Sequence, residues 1–446
     1  MILTKGAKKL IETLENKGYE AYAVGGAVRD FLRGVKYSDI DFTTSATPEQ
    51  MMEAFSNFKV YPTGIKHGTL TVKVYDEYFE VTTFRTESGY SDNRRPDEVE
   101  FISSLDEDLK RRDFTINAIA YNPKRGYVDK FDGQADIKNK IIRTVGNPTE
   151  RFKEDALRIL RGLRFSSSLG FEIEKETKNA ILNNYNLLKN VAIERIKTEL
   201  DGILCGDSVG KILLEFKEVF FFLIPKLKEC DGFLQMSKYH NLDVYGHIVK
   251  SVQNSEKDKI VRWALLLHDI EKPSCFTKDD NNVGHFYGHQ KKSSETAREI
   301  LKAFKCDNYT INTVSQLIYI HDIPLEENPV NIKFFLNKYG FTFLKQFIQV
   351  RKGDGIAHAK PYGLERVENA DKVLKIAENV VKSGECYTLK RLSVNGDDIK
   401  KLGYKGAEIK KILELSLNLV IKGEVINDKN QILSRLSDDK RDFREN

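Results

Sequence analysis

No two cysteines in this chain stand in a C-x-x-C spacing; the five (Cys205, Cys230, Cys275, Cys306 and Cys386) are scattered and odd in number. This argues against a zinc ribbon and a disulfide framework, and for a reducing compartment. Long apolar runs are also missing: the longest, Val219 to Ile224, is far short of the roughly 18 residues that suggest a membrane span. The opening MILTKGAKKLIETLENKGYE has a charged amphipathic helix pattern and lacks the apolar centre of a signal peptide. A cytoplasmic protein without a membrane partner is expected. Internal repeats and low-complexity tracts are lacking, and no G-x-x-x-x-G-K-[ST] occurs, so a P-loop is excluded. Charge of one sign is not in large excess either. Lysine plus arginine exceed the acids by 71 to 66, a net +5, which permits an anionic partner without demanding one.

What is present is length and a change of character along it. The 446 residues, 31% charged and 10% aromatic, read as a globular chain of two to four domains. Up to about residue 143, strand signals (EAYAVGG, SDIDF, GTLTVKVY, YFEVTTFR) mix with short helical ones such as AVRDFLRG. From about 149, TERFKEDALRILRGLRFSSSLGF is helical by period, and little strand signal follows. The expected fold is an α/β head with a mixed sheet and helices, followed by an all-α neck, body and tail. The boundaries are set at about 1–143 (head), 144–215 (neck), 216–360 (body) and 361–446 (C-terminal helical region).

In YSDIDFTTSA, Asp39 and Asp41 flank Ile40. On a strand the two acids share a face while Ile40 points to the core. Two repelling same-face carboxylates suit divalent cations: Mg²⁺ takes oxygen ligands, and a metal pair clamps the oxygens of a phosphoryl displacement. Glu80, in the β-branched YFEVTTFR, is the third carboxylate. The plainer reading of a lone D-x-D is a half-exposed strand edge. Its context favours the metal. Gly25 and Gly26 follow a strand and open a helix, where backbone N–H groups can approach an anion, and Arg29 lies one turn in. Triphosphate at a Gly-Gly turn beside a carboxylate metal site suggests nucleotidyl transfer. In LKRRDFTINAIAYN, Arg112 is placed on nucleotide phosphate and Asp113 on a ribose hydroxyl, against the plainer reading of a charged helix start.

GGAVRDFLRG, DIDFTTSA, EVTTFRTE, RRDFTINAIAYN and EDALRILRGLRF occur in this order. Over roughly residues 20 to 205 the chain resembles bacterial class II CCA-adding tRNA nucleotidyltransferases, a group that includes poly(A) polymerases. The resemblance implies that Asp39 and Asp41 bind catalytic Mg²⁺ with Glu80 in support. It also implies that Gly26 and Arg29 hold the triphosphate and Arg112 the nucleotide, with tRNA, CTP and ATP as partners.

In EDALRILRGLRF, Asp155 and Arg158 are three apart and expected as neighbours on one helical face, with Arg161 and Arg164 continuing a basic ridge. An exposed ion pair is the plainer reading. Cytosine and adenine each present an exocyclic amine beside a ring acceptor, so a carboxylate plus a guanidinium matches both. Uracil and guanine present the opposite polarity, and such sites can reject mismatched groups by ~10⁴. The family assigns Asp155 and Arg158 this role; Arg161 and Arg164 would bind nucleotide or primer phosphate. Asp92, Arg94 and Arg95 lie in a polar stretch suited to a mobile loop, which in the family aids the switch to ATP. ERIKTEL, Glu194 to Leu200, resembles the family's neck helix.

Seven of the eight histidines fall between 240 and 358. His247, His268 with Asp269, His289, His321 and Asp354 resemble, over about 236 to 360, the HD phosphohydrolase superfamily. This implies a transition metal and a second, phosphohydrolase activity. One departure is Glu271, where HD-x-G-K has glycine; His285 and His358 are set aside as incidental. Lys400, Lys401, Lys405, Lys410 and Lys411 form a basic tail suited to RNA phosphate. Full CCA addition is the leading expectation. A poly(A) polymerase or CC-only enzyme, and a metal phosphohydrolase with an RNA-binding head, are the rivals.

Overall fold

The computed structural model describes residues 1–37, 39–88 and 98–445. The stretch Asp92, Arg94 and Arg95 lies outside the described residues. The chain divides into two compact units, one of Met1–Pro225 with Ala303–Lys305, the other of Lys226–Lys302 with Cys306–Asn446.

The N-terminal unit is built on a sheet. Its strands are β1 (Ala21–Val24), β2 (Asp41–Thr44), β3 (Lys59–Gly64), β4 (Thr69–Val74), β5 (Glu77–Thr83), β8 (Ile119–Asn122) and β9 (Gly126–Asp129), with the hairpin β6 (Arg85–Ser88) and β7 (Glu98–Phe101) paired separately. The order across the main sheet is β3-β4-β5-β2-β1-β8-β9. Only β2 and β5 run parallel among its described pairs. Leu70, Val72 and Val74 of β4 alternate with less buried neighbours, the pattern of a strand with one face on a core. Helix α1 (Lys5–Glu15) starts at Thr4, whose side chain accepts from the Ala7 amide, and buries Ala7, Leu10, Ile11 and Leu14 in that same core.

Short helices follow as α2 (Gly26–Leu32), α3 (Pro48–Ala54), α4 (Leu105–Lys110) and α5 (Gly133–Asn139). Then come α6 (Pro148–Glu154), α7 (Leu157–Leu169), α8 (Lys175–Asn184), α9 (Ile193–Leu204), α10 (Val209–Glu215) and α11 (Lys217–Leu223). The α/β head followed by helices is as expected from the sequence. Two local expectations are corrected. The strand begins at Asp41, so Asp39 precedes it, in left-handed backbone with φ 31°. And the helical stretch after 149 is not continuous: Asp155 is extended (φ −138°, ψ 102°) and separates α6 from α7. An Asp side chain can hold the next helix start, and Asp155 Oδ1 accepts the Leu157 amide at 3.1 Å.

The C-terminal unit is helical: α12 (Val244–Gln253), α13 (Lys259–Leu267), α14 (His289–Ala303), α15 (Asn308–Ile320), α16 (Pro329–Ala357) and α17 (Tyr362–Lys382) precede the tail helices. Residues 260–267 of α13 are all buried, so it is a central helix rather than an amphipathic one. Gly353 lets α16 approach α12 and α13: a Cβ there would lie 2.6 Å from Leu265 Cδ1 and 2.9 Å from the Ser251 carbonyl. Among the described residues, no helix is long and apolar enough to cross a membrane.

Candidate functional site

Three acids gather where β2 begins, in the middle of the head sheet. Asp41 opens β2 and is in register with Val24, the last residue of β1. The parallel register Phe42↔Val81 places Asp41 level with Glu80 on β5. Phe42, Phe79 and Val81 face the core, which leaves Asp41 and Glu80 on the opposite, exposed face. Ile40 is 6% exposed and enters the core as its spacing predicts. Water reaches Asp41, yet crowding of protein around its carboxyl pushes the pKa up to about 6. Glu80 and Asp39 add to this, and Arg112 opposes it. Three convergent carboxylates with surplus negative charge form an oxygen donor set that fits hard divalent cations.

Behind them lies Asp108 of α4, fully buried. Its Oδ2 accepts from Thr43 Oγ1 at 3.1 Å and from Arg112 Nη2 at 3.3 Å. Its Oδ1 accepts from Arg111 Nε and Nη2 at 2.9 and 2.8 Å. Burial raises the Asp108 pKa, but Arg111 and Arg112 outweigh it and hold the carboxyl below its usual value. Arg112 is thereby fixed beside the acid face, and its buried Nε has no hydrogen-bond partner among the described residues. The Gly25 turn sits between the two charges: a Cβ there would lie 3.8 Å from Asp41 Oδ2 and 3.9 Å from Arg112 Nη1. Its φ of +73° favours glycine at that position.

A polar chain leads from the turn to the neck. Arg29 Nη1 donates to Asn117 Oδ1 at 2.9 Å, and Asn117 Nδ2 to Asp113 Oδ1 at 3.3 Å. Asp113 Oδ2 accepts from Arg161 Nε at 2.8 Å and faces its Nη2 at 2.6 Å. Burial pushes Asp113 up, but Arg161, Arg158 and Asn117 prevail and bring it down to about 2. The carboxylate given to a ribose hydroxyl by sequence is here engaged by Arg161. Arg29, Arg161 and Arg164 all stack on Phe165, at 5.3, 5.5 and 4.6 Å from its centroid.

The Asp155–Arg158 couple does not form the expected neighbouring pair on one helical face, because the break at Asp155 turns its side chain toward α9. There Arg195 Nη2 donates to Asp155 Oδ2 at 2.9 Å. Arg158, 8% exposed, donates to Glu154 Oε2 at 2.6 Å and to the Arg111 carbonyl at 3.1 Å. One turn along α9 from Arg195, Glu199 accepts from Arg164 Nε at 2.5 Å. Gly202 makes room for that contact, since a Cβ would lie 2.4 Å from Arg164 Cδ. Sequence reading gave Asp108, Asn117, Glu154, Arg195 and Glu199 no function. The i,i+4 spacing of Arg195 and Glu199 within ERIKTEL was the available signal.

In the C-terminal unit the sequence-selected His247, His268, Asp269, His289, His321 and Asp354 come together in the interior, all at most 4% exposed. Of these, Asp269, His289, His321 and Asp354 line a cavity of about 910 Å³ together with Asp322, His240 and His358. His268, His289 and His321 each face with Nδ1 the carbonyl three residues earlier (Leu265, Phe286, Ile318) at 2.7–2.8 Å, which turns Nε2 inward. This is the orientation in which ligating imidazoles are held. In the interior, Asp269 Oδ2 lies 3.2 Å from His268 Nε2 and 2.7 Å from Lys272 Nζ, and Asp269 Oδ1 lies 3.3 Å from His289 Nε2. Burial lowers the His268 pKa, but Asp269 and Asp354 overcome it and raise it to about 10. A buried imidazole–carboxylate set whose nitrogens and oxygens converge fits a divalent metal. His285 stands apart from the cluster's core and pairs with Asp279 at 3.0 Å.

Three family models match this chain: the poly A polymerase head domain over residues 21–143, an RNA and SrmB binding site of polymerase A over 170–229, and tRNA nucleotidyltransferase domain 2 over 284–436. The CCA-adding enzyme of Ligilactobacillus salivarius is 35% identical over 428 residues, covering 95% of this chain and 94% of that protein. That of a Geobacillus species is 36% identical over 430 residues, with the same coverage. A crystal structure of the Bacillus stearothermophilus CCA-adding enzyme in complex with CTP is similar with a TM-score of 0.71 at 30% identity, covering 99% of this chain and 98% of that one. A Thermotoga maritima CCA-adding enzyme complexed with tRNA shares the fold, with a TM-score of 0.58 at 21% identity over 96% of this chain and 93% of that one. With relatives above 30% identity along nearly its whole length, this chain belongs to the family of CCA-adding enzymes.

Proposed function

We propose that this chain adds CCA to tRNA 3′ ends from CTP and ATP by divalent-metal-dependent nucleotidyl transfer, with Mg²⁺ as the metal. One observation carries the reading. Asp41, flanked by Asp39 and Glu80, is linked through Arg112, Asp108 and Arg111 to Arg158, so the acid face and the guanidinium that we assign to base reading lie on one connected network. Asp39 and Asp41 hold the cations, with Glu80 in support. When bound, these cations neutralise charge on the reacting phosphate. The Gly25–Gly26 turn, Arg29 and Arg112 orient the triphosphate, with Arg161 and Arg164 on phosphate at the neck. The tRNA 3′ oxygen attacks the α-phosphorus, and pyrophosphate leaves.

Asp155 accepts from the exocyclic amine of cytosine or adenine, and Arg158 donates to the neighbouring ring nitrogen. Arg195 holds the Asp155 carboxylate, which has lone pairs left to accept from the amine, and Glu154 holds the Arg158 guanidinium, which has N–H groups left to donate. Asp113, locked by Arg161, acts by holding that arginine and Asn117 in place; a ribose contact would require it to exchange Arg161. Residues 1–143 serve as the transferase head, 144–215 as the base-reading neck, 216–360 as an HD-type body and 361–446 as an RNA-binding region. The decisive experiment extends tRNA ending before, within and after CCA with each nucleotide. Termination after CCA supports the reading; unlimited adenylate tails or arrest after CC would refute it.

A second reading is favoured by the buried cluster of the C-terminal unit. His247, His268, Asp269, His289, His321 and Asp354 form a transition-metal centre of HD type with phosphohydrolase activity. Hydrolysis of a generic phosphomonoester that survives Asp41→Ala and disappears with His268→Ala is the expected result. Loss of both activities in Asp41→Ala with the fold intact would refute the division of labour.

A further inference from the structure

One ring joins the cations that we assign to phosphate. Phe165, on α7, is 6% exposed and belongs to the main core of the head, where it meets Phe114 edge to face at 5.7 Å. Around it stand three guanidinium groups, those of Arg29 on α2 and of Arg161 and Arg164 on α7. Their carbons lie 5.3, 5.5 and 4.6 Å from the ring centroid. Arg161 is four residues before Phe165 and reaches it as helical neighbours do. Arg164 is the adjacent residue and Arg29 lies on another element, so helix geometry alone places neither of them there.

The three arginines bond three different acids. Arg29 Nε and Nη2 each donate to Asp30 at 3.0 Å, Arg161 Nε to Asp113 at 2.8 Å, and Arg164 Nε to Glu199 at 2.5 Å. Among these contacts the side chain common to all three is Phe165. Like charges gathered around one point repel. The negative face of an aromatic ring attracts each guanidinium and leaves its charge in place. A carboxylate at the same position would gather the arginines too, but it would cancel their charge and repel phosphate. The Arg161 and Arg164 side chains are 33% and 30% exposed, so an anion can reach them while the ring beneath stays buried.

We infer that Phe165 is the positioning residue of the phosphate site. It draws Arg29 from the head and Arg161 and Arg164 from the neck into one set for the triphosphate of the incoming nucleotide and for the pyrophosphate that leaves. This role rests on the proposed assignment of the three arginines to phosphate, and it adds the group that fixes their spacing. Phe165 itself touches no substrate. An arginine already held in place loses less freedom when the anion arrives, so the ring acts on nucleotide affinity rather than on the chemical step. Asp155 and Arg158, to which we give the base, are not among the groups on the ring, so base preference is independent of it.

The test replaces Phe165 in the full chain by phenylalanines carrying one, two and three ring fluorines, which keep the shape of the ring and drain its negative face stepwise. KM for CTP and for ATP should rise with each fluorine, to about tenfold with three, while kcat stays within about twofold. The preference for CTP over UTP should not change, and inhibition by pyrophosphate should weaken in the same proportion as KM rises. Phe165→Leu, which removes the ring, should raise both KM values at least as far. Circular dichroism checks the fold of each chain. A ring that only fills the core would leave KM flat across the fluorine series, and that result would overturn the inference, as would a loss confined to kcat. Equilibrium binding of CTP to the same chains reads Phe165 independently of the product made. Arrest after CC or unlimited adenylate tails would refute the function proposed above and leave the fluorine dependence standing. Flat CTP affinity with normal CCA addition would remove the role of Phe165 alone.

Discussion

Arg195 and Asp155, 40 positions apart in sequence, meet at 2.9 Å where α9 crosses the break between α6 and α7. The contact aims the carboxylate that we assign to the amine of the incoming base. Asp155→Asn replaces an acceptor-only group with one that can also donate, and uracil offers a carbonyl to that donor. The preference for CTP over UTP should therefore fall by at least ~100-fold. Arg195→Ala leaves the acceptor in place but unaimed, so use of both CTP and ATP should weaken by about tenfold with UTP still rejected, a cost of about 1.4 kcal/mol. Single-turnover extension with each nucleotide separates the two outcomes; equal loss of discrimination in both variants would refute the assignment.

The raised pKa of Asp41 gives a stability test in metal-free protein. Below about pH 4 the carboxyl is protonated in both folded and unfolded chains. Between about 4 and 6 the unfolded chain ionises while the folded one keeps its proton, and above about 6 the folded group must ionise against crowding, Glu80 and Asp39. The group thus destabilises the fold increasingly from pH 4 to 6 and at a constant level above. Asp41→Asn should raise the thermal midpoint in EDTA at pH 8 and lose that advantage near pH 4. Added Mg²⁺ should stabilise only the parent. A midpoint difference that does not vary with pH would count against the clustered acids.

The parts legible in the sequence were those set by local pattern. Alternation in GTLTVKVY, the Gly-Gly turn after a strand and the Ile40 spacing each follow from nearest-neighbour geometry, and each appears in the fold. The order of motifs carried the family. What the sequence hid depends on tertiary partners. The 3.6-residue period ran through Asp155 because the buried Ala156 and Ile159 stand four and seven residues after Phe152, in helical phase across the break, and nothing local announces the pull of Arg195. Asp113 was read as open to a ribose because its partner, Arg161, is 48 positions away. Asp322 had no role assigned from the sequence, and the fold brings His289 Nε2 within 3.5 Å of its carboxylate.

Gly353 tests the packing that delivers Asp354 to the histidine cluster. A methyl group at this position would meet Leu265 Cδ1 at 2.6 Å and, less forgivingly, the Ser251 carbonyl at 2.9 Å. Backbone of α12 cannot rotate away as a side chain can, so α16 must shift. Gly353→Ala should cost about 1–3 kcal/mol in denaturant unfolding and reduce metal retention by the C-terminal unit. Unchanged stability with full metal content would show that the three helices can separate at this crossing without effect.

Asp113 and Arg161 make an acid-sensitive joint inside the N-terminal unit. Burial disfavours the charged carboxylate, yet Arg161 holds its pKa down at about 2, below the value near 4 of an unfolded chain. The stabilisation is therefore complete above about pH 4 and disappears as the pH falls through about 2. Its size is about 2 kcal/mol, from a shift of nearly two units at 1.36 kcal/mol each. Asp113→Asn should flatten the stability profile between pH 4 and 2. It should also destabilise the neutral protein, because Arg161, with a third of its side chain exposed, loses its nearest counter-charge. The double variant Asp113→Asn with Arg161→Gln removes the stranded charge and should recover part of the loss. A double-mutant cycle of unfolding energies at pH 7 measures the coupling, and a value near zero would mean that the 2.6 Å contact does not hold head and neck residues together.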